Sequence, residues 1–299
     1  MSYCNLTSEQ LAVVQHPLGR HARVLAVAGS GKTTTLAHRI RYLITEQHVP
    51  PQQILVLMFN RLARQQFQTR LIEVGLSPQQ QPPVHTFHSL AYGCIGQMTQ
   101  RGTIPHATQS WFDDERIFYN VNVAITRLER ANTIPTGVVD PEEALAAISL
   151  WKGSLIPPER AGYRGDPFIP QVYAEYEQLR LQQTALTFDD FVRLMVGLLE
   201  QDAVLAQQWR GRVRHLIIDE YQDINYGQQR LLELLAGETA DVMVVGDDDQ
   251  TIYEWRGARP NYILREFQTV FANKPHTNYS LTRSFRFGPM LAQAAYNTI

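Results

Sequence analysis

The chain is expected to fold as an α/β protein with a parallel sheet, interrupted by a mostly helical insertion. Three observations carry that reading. Residues 1–88 and 186–280 contain apolar runs of strand length that end in glycine or acidic residues. Residues 89–185 instead show helix-period stretches with no strand run. Finally, 299 residues at 44% hydrophobic content suffice for about two globular units of roughly 150 residues each.

The first element is a helix opening at Leu6 to Gln10, where Thr7 can cap the helix and Gln10 can reach back three residues later. Ala22 to Val27 has the length and composition of a strand, and it runs into Ala28-Gly29-Ser30-Gly31-Lys32-Thr33. A helix should follow, because Leu36, Ile40, Leu43 and Ile44 fall on one face. Strand, glycine turn and helix together begin a βαβ unit. Ile54 to Phe59 is continuously apolar, as a parallel strand buried on both faces requires. A short polar linker, Gln79 to Pro83, comes next. Within the helical stretch, Val172, Tyr176 and Leu179 keep the helical period, and loops rich in Pro and Gly interrupt it at 131–141 and 153–170. Two late strand runs, His215 to Asp219 and Asp241 to Gly246, return the chain to the sheet. Beyond residue 280, Leu291, Ala294, Ala295 and Ile299 mark another helical face.

Composition removes several function classes. No apolar run approaches the roughly 18 residues that span a bilayer, and the polar opening MSYCNLTSEQ lacks a signal-peptide pattern. Cys4 and Cys94 stand apart, without disulfide or zinc spacing. A soluble, cytoplasmic protein with no membrane partner is the expectation. Charge is unevenly distributed: residues 1–72 hold eight basic against two acidic residues, whereas 189–254 hold five against fourteen. The basic region can track phosphates and the acidic one can hold a metal, although solvated faces would give the same balance. Only three lysines occur among 27 basic residues, which draws attention to Lys32.

Ala28-Gly29-Ser30-Gly31-Lys32-Thr33 completes the spacing of a Walker A loop that starts with alanine at position 26. Small residues let successive backbone N–H groups wrap phosphates at a helix N-terminus. Lys32 would supply a point charge between the phosphates, and the Thr33 hydroxyl a Mg²⁺ ligand. The alternative is a glycine-rich strand–helix turn with no ligand. At the end of a second strand run, Asp219 would hold Mg²⁺ and Glu220 would accept a proton from the attacking water. Taken alone, that acidic end is equally an exposed strand terminus. The Walker spacing upstream favours the metal reading, since a metal–triphosphate needs both parts.

Val244-Val245-Gly246-Asp247-Asp248-Asp249-Gln250-Thr251-Ile252-Tyr253-Glu254-Trp255-Arg256-Gly257-Ala258 closely resembles motif III of the UvrD/Rep/PcrA-like DNA helicases of superfamily one. Other blocks resemble that family's motifs in order: Leu6 to Gln10, AVAGSGKTT, LVLMFNRLAR, VHTFHSLAY, LIIDEYQDIN and LTRSFRF. Thr187-Phe188-Asp189-Asp190-Phe191 is similar to the acidic element that precedes motif II. The resemblance covers essentially the whole chain. It implies a RecA-like P-loop NTPase domain at 1–88 and 186–280, a helical insertion domain at 89–185, and the start of a second RecA-like domain at 281–299.

Residue roles follow from the same resemblance. ATP and Mg²⁺ are the implied cofactors, with Gln10, Ala28, Gly29, Ser30, Gly31, Lys32, Thr33, Thr34 and Phe285 around the nucleotide. Gln10 would read the adenine edge. Phe285 would stack on the base where the family usually has Tyr, and Thr34 stands where many members carry Arg. Lys32, Glu220, Gln250 and Arg286 would serve catalysis, the last two at the γ-phosphate. Phe59, Thr86, Phe87, His88, Tyr253, Trp255 and Arg256 would lie against single-stranded DNA, where aromatic faces stack on any base. Phe87 and Tyr253 could equally be core residues.

The implied activity is an ATP-dependent 3′-to-5′ DNA helicase of repair, recombination or replication. It would act on single strands and single/double-strand junctions with a second RecA-like domain as partner, alongside repair or replication proteins. A stand-alone nucleotide- and strand-binding module, or the motor of a RecB- or AddA-like helicase–nuclease, are the alternatives. Without motifs V and VI the chain should bind nucleotide and turn it over slowly, because an arginine finger contributes about 10³–10⁵ in rate.

Overall fold

The computed structural model of the chain describes residues 5–102, 109–162, 165–247, 253, 257–286 and 288. Its strands are β1 (His21–Ala26), β2 (Ile54–Met58), β3 (Val84–Thr86), β4 (Gln109–Trp111), β5 (Ala185–Thr187), β6 (His215–Ile218), β7 (Asp241–Gly246) and β8 (His276–Leu281). Its α-helices are α1 (Ser8–Val14), α2 (Lys32–Thr45), α3 (Arg61–Glu73), α4 (Phe87–Gln100), α5 (Asp114–Arg130), α6 (Pro141–Gly153), α7 (Ile169–Gln182), α8 (Phe188–Gln201), α9 (Ala203–Arg212), α10 (Tyr226–Ala236) and α11 (Phe267–Val270). Six strands form one parallel sheet in the order β3-β2-β6-β7-β1-β8, and β4 pairs separately with β5. The expected α/β class with a helical interruption is what the chain adopts.

The continuous apolar runs are explained by burial on both faces. Along β2, Leu55 and Leu57 point into one cluster with α4, α8 and α10, while Ile54, Val56 and Met58 point into the other with α2 and α3. The period of two recurs in β6 and β7, where Leu216, Ile218, Val242 and Val244 face one side and Ile217, Met243 and Val245 the other. On α2 the predicted stripe is realised: Leu36, Ile40 and Leu43 are buried and Ile44 packs beside them.

A third cluster gathers α5, α6 and α7 between Trp111 and Ala185, with Trp151 stacked on Tyr173 at 5.5 Å. Its limits differ from the expected 89–185. Helix α4 belongs with the sheet, because Leu90, Cys94, Ile95 and Met98 are buried against Phe191, Met195 and the strands. Each such side chain contributes about 1.5–3 kcal/mol by burial, which fixes the helix there. The strand pair β4–β5, absent from the sequence reading, sits where the chain enters and leaves the third cluster; each strand has only three residues. Because all six sheet strands run the same way, the residues after Ala26, Met58, Thr86, Ile218, Gly246 and Leu281 emerge along one edge, where open α/β sheets build their sites. The helix expected from Leu291 to Ile299 lies outside the described residues. Among the described residues no helix is long and apolar enough to cross a membrane.

Candidate active site

The loop after β1 turns twice through the left-handed region, at Gly29 (φ 74°) and Gly31 (φ 80°), which glycine alone adopts without cost. Space is short as well. A Cβ on Gly29 would come within 2.5 Å of the Arg286 Cβ, and one on Gly31 within 2.8 Å of the Gln10 amide nitrogen. Gly31 caps α2 without any side-chain acceptor, so the first N–H groups of the helix are not taken by a side-chain cap. Beside them the buried Ser30 hydroxyl has no hydrogen-bond partner among the described residues. Uncapped N–H groups and an orphaned hydroxyl at a helix N-terminus are the donors an anion could use.

Lys32 opens α2 and points its ammonium at Glu220, with Nζ 3.1 Å from Oε2. Glu220 follows β6 in a left-handed conformation (φ 51°, ψ 48°), strained for a residue with a side chain. Asp219, before it, is 4% exposed; its N–H donates to the Leu57 carbonyl, and its Oδ1 accepts from the Glu220 N–H at 3.0 Å. Burial, reinforced by the Glu220 charge and opposed by Lys32, pushes the Asp219 carboxyl up to about 7. Asp223 is pushed up to about 6 by the same causes, and its Oδ1 is buried without a partner among the described residues. Three carboxylates against one lysine leave the site short of positive charge, and a divalent cation would supply it.

Next to the glycine loop lie α1 and the segment after β8. In α1 the Thr7–Gln10 capping box forms as expected, with Thr7 N–H donating to Gln10 Oε1 at 3.0 Å and Gln10 N–H to Thr7 Oγ1 at 3.1 Å. The Gln10 Nε2 donates to the Ser30 carbonyl at 2.9 Å, so this amide braces the loop with one of its two N–H groups. Glu9, which sequence reasoning passed over, grips the N–H and hydroxyl of Thr282 at 2.9 and 2.7 Å. That grip holds the segment after β8 alongside, and the Phe285 N–H donates to the Gly29 carbonyl at 2.8 Å. Phe285 is 53% exposed with the Arg283 guanidinium 5.3 Å from its ring centre. Ala28, Thr33 and Thr34 are partly buried along the same loop and helix start, and Arg286 is exposed.

Of the residues expected on the nucleic-acid side, Phe59 and Tyr253 are brought together, ring centres 5.0 Å apart and tilted by 31°. His88 is half-buried, meets Phe188 edge-on at 6.3 Å, and is kept below its ordinary pKa by burial, hence neutral at pH 7. Two expectations are corrected. Phe87 is 1% exposed within the sheet's core, because it is the first residue of α4 and the strand-to-helix turn aims it inward. Thr86 is 5% exposed and spends its hydroxyl on capping α4, accepting from the Ser89 N–H at 3.1 Å. Gln250, Trp255 and Arg256 lie outside the described residues.

Gln222 was also missed. It is 1% exposed and lies between Glu220 and the end of β7. It falls within the LIIDEYQDIN block, but nothing in the residue type or spacing says that its amide is buried against Glu220 and the end of β7.

Comparison with known proteins agrees with this geometry. Residues 6–271 match the family model described as the UvrD/REP helicase N-terminal domain. The chain is 32% identical to the ATP-dependent DNA helicase PcrA of Bacillus subtilis (strain 168) over 265 residues, 84% of this chain and 34% of that protein. It is 31% identical over 312 residues to the ATP-dependent DNA helicase UvrD2 of Mycobacterium bovis, covering 98% of this chain and 43% of the relative. With the ATP-dependent DNA helicase Rep of Escherichia coli (strain K12) it shares 31% identity over 264 residues, 86% of this chain and 38% of the other. The chain therefore spans about a third to two fifths of the length of these relatives.

Proposed function

The chain belongs to the UvrD/REP helicase family, and on that premise we propose that it is the ATP-binding portion of an ATP-driven DNA helicase. The proposed whole moves 3′-to-5′ on single-stranded DNA in repair, recombination or replication, and engages single/double-strand junctions. One observation carries the reading: α2 starts without a side-chain cap, and its first residue, Lys32, is held by Glu220.

The residues present fit Mg²⁺-ATP. The glycine loop leaves room that a Cβ would fill, the Ser30 hydroxyl is buried without a partner among the described residues, and Asp219 is a buried carboxyl short of a cation. When bound, the nucleotide supplies the labile phosphoanhydride and the metal neutralises the charge that develops on it. Thr33 and Asp219 would be the protein's ligands to the metal, which ordinarily keeps several waters. Lys32 would leave Glu220 for the phosphates. Glu220, released, would be free to take the proton of an attacking water. Arg286, close to Gly29 through its Cβ, would bring a cation to the γ-phosphate together with Gln250. Phe285 would stack on the base beside Gln10 and Thr34.

For the strand, Phe59 and Tyr253 offer neighbouring aromatic faces, with His88, Trp255 and Arg256 as further proposed contacts. Directional movement needs two grips that move relative to each other, so a second RecA-like unit is the proposed partner. The test is titration of the chain with labelled oligo-dT and, separately, with Mg²⁺-ATP. Phe59→Ala should weaken oligo-dT binding by the stacking contribution, about 1–3 kcal/mol, at unchanged nucleotide affinity. Unchanged oligo-dT affinity would remove this pair from the nucleic-acid face.

A further inference from the structure

A ligand held between two chain segments binds tightly only if both are in place before it arrives. In this chain neighbouring residues of α1 hold one segment each. Gln10 donates from Nε2 to the Ser30 carbonyl at 2.9 Å and so fixes the loop after β1. Glu9, beside it, accepts from the Thr282 N–H through Oε2 at 2.9 Å and from the Thr282 hydroxyl through Oε1 at 2.7 Å. The segment after β8 is pinned again three residues later, where the Phe285 N–H donates to the Gly29 carbonyl at 2.8 Å. Between the two pins Arg283 sets its guanidinium 5.3 Å from the Phe285 ring centre. Gly29 leaves no slack on the loop side, since a Cβ there would meet the Ser284 Oγ at 2.8 Å. Helix, loop and segment are thus joined pairwise, and two of the three joints come from consecutive residues of one short helix.

Resting on the proposed nucleotide site, we infer that Glu9 is a positioning residue that sets Phe285 in place for the base before nucleotide binds. A carboxylate suits the task. Both of its oxygens accept, and the N–H and hydroxyl of one threonine offer it two donors side by side. Phe285 is 53% exposed, so burial in the core does not orient it; the two backbone pins and Arg283 on its ring do. Without Glu9, water replaces both bonds at the exposed Thr282, and stability changes little. The segment then keeps only the pin at Phe285, and the base must order it on binding. Apparent affinity falls with the fraction of chains in which the platform is already set.

Mg²⁺-ADP and Mg²⁺-pyrophosphate separate the two segments, because pyrophosphate needs only the glycine loop and Lys32 whereas ADP also needs the base platform. In calorimetric titrations the full 299-residue chain should bind ADP more tightly than pyrophosphate. Glu9→Ala should weaken ADP about 5- to 10-fold and leave pyrophosphate within about twofold. Glu9→Gln should stay within about twofold of the unaltered chain for both, as its carbonyl keeps the Thr282 N–H and its amide N–H donates to the hydroxyl oxygen. Thr282→Val removes the hydroxyl alone and should weaken ADP about threefold. Added to Glu9→Ala, it should cost nothing further. If Glu9→Ala falls short of the unaltered chain's unfolding midpoint, Thr282→Val decides by the same split between ADP and pyrophosphate. An unmoved ADP affinity, a parallel loss of pyrophosphate, or additive losses in the double variant would overturn the inference, and so would an unaltered chain that binds both ligands equally. An unaltered chain that binds neither would instead refute the nucleotide site on which it rests.

Discussion

The two edges of the parallel sheet bury charge in opposite ways. At the edge where strands begin, polar groups are largely paired with one another. Asp241 accepts from the Gly19 N–H at 2.8 Å and from the Lys274 Nζ at 2.6 Å. Arg39, 2% exposed, donates to the carbonyls of Val14 and His16 at 2.9 and 2.6 Å, and His21 bridges the Val242 N–H and Asn273. The His276 Nε2 is the exception, buried without a partner among the described residues. Where the same strands end, the Ser30 hydroxyl and the Asp223 Oδ1 lack partners among the described residues, Glu220 is strained, and Asp219 is an acid resisting ionisation. One edge is completed by the protein itself, whereas the other is left incomplete in the way a ligand site must be.

Breaking the starting edge should cost the most. Asp241→Ala leaves Lys274 with the Thr239 carbonyl and no counter-charge, strands the Gly19 N–H, and should lower stability by about 3 kcal/mol in urea unfolding, with nucleotide affinity unchanged. A loss of nucleotide affinity as large as the loss of stability would erase the distinction between the edges.

Asp219→Asn should do the reverse, raising stability by about 2 kcal/mol at pH 7 while weakening metal-dependent nucleotide binding. The sign follows from the shift. The Asp219 pKa is raised from 3.8 to about 7, so the folded chain binds the extra proton and loses stability as pH rises through that window. The gain from the amide should therefore vanish near pH 4. His16 and His215 have opposite slopes: burial holds both at about 4, so their contribution is full above pH 6.5 and lost on acidification towards 4. Asp219→Asn should therefore leave a chain whose unfolding midpoint falls more steeply between pH 6.5 and 4 than that of the unaltered protein. Equal slopes would contradict the assignment.

Smallest is the strain itself. Glu220→Gly relieves the strain at φ 51° but takes the carboxylate from Lys32 and Gln222, so the unfolding free energy should change by no more than about 1 kcal/mol while ATP turnover disappears. Turnover that persists would remove Glu220 from the role of base.

Much of the ending edge was legible in the sequence because its chemistry is local. The glycine loop and Lys32 sit directly after a strand run, where spacing points to them, and the Asp219-Glu220 pair at a second strand end gains its meaning only beside that loop. The capping box of Thr7 and Gln10 was legible for the same reason. The starting edge was not: His16, Arg39, His215 and Asp241 are spread over more than 200 residues and meet only because parallel strands align their N-termini. Facing direction was the other blind spot. An aromatic after a strand end can stay partly exposed, as at Phe59, or turn inward, as Phe87 does, and sequence does not distinguish a three-residue strand that runs straight into a helix. A helical period with no strand run does not say what a helix packs against, so α4 reads as part of the insertion although its partners are those of the sheet.

The central claim is that the incomplete edge is built for Mg²⁺-ATP around Lys32. Thermal unfolding of the chain and of Lys32→Ala, each with and without Mg²⁺-ATP, tests it most directly. At a hundredfold excess over Kd, bound nucleotide adds about 2.7 kcal/mol, or on the order of 5 °C in Tm. The unaltered chain should gain that shift and Lys32→Ala should gain none, whereas equal shifts in both, or no shift in either, would contradict the account.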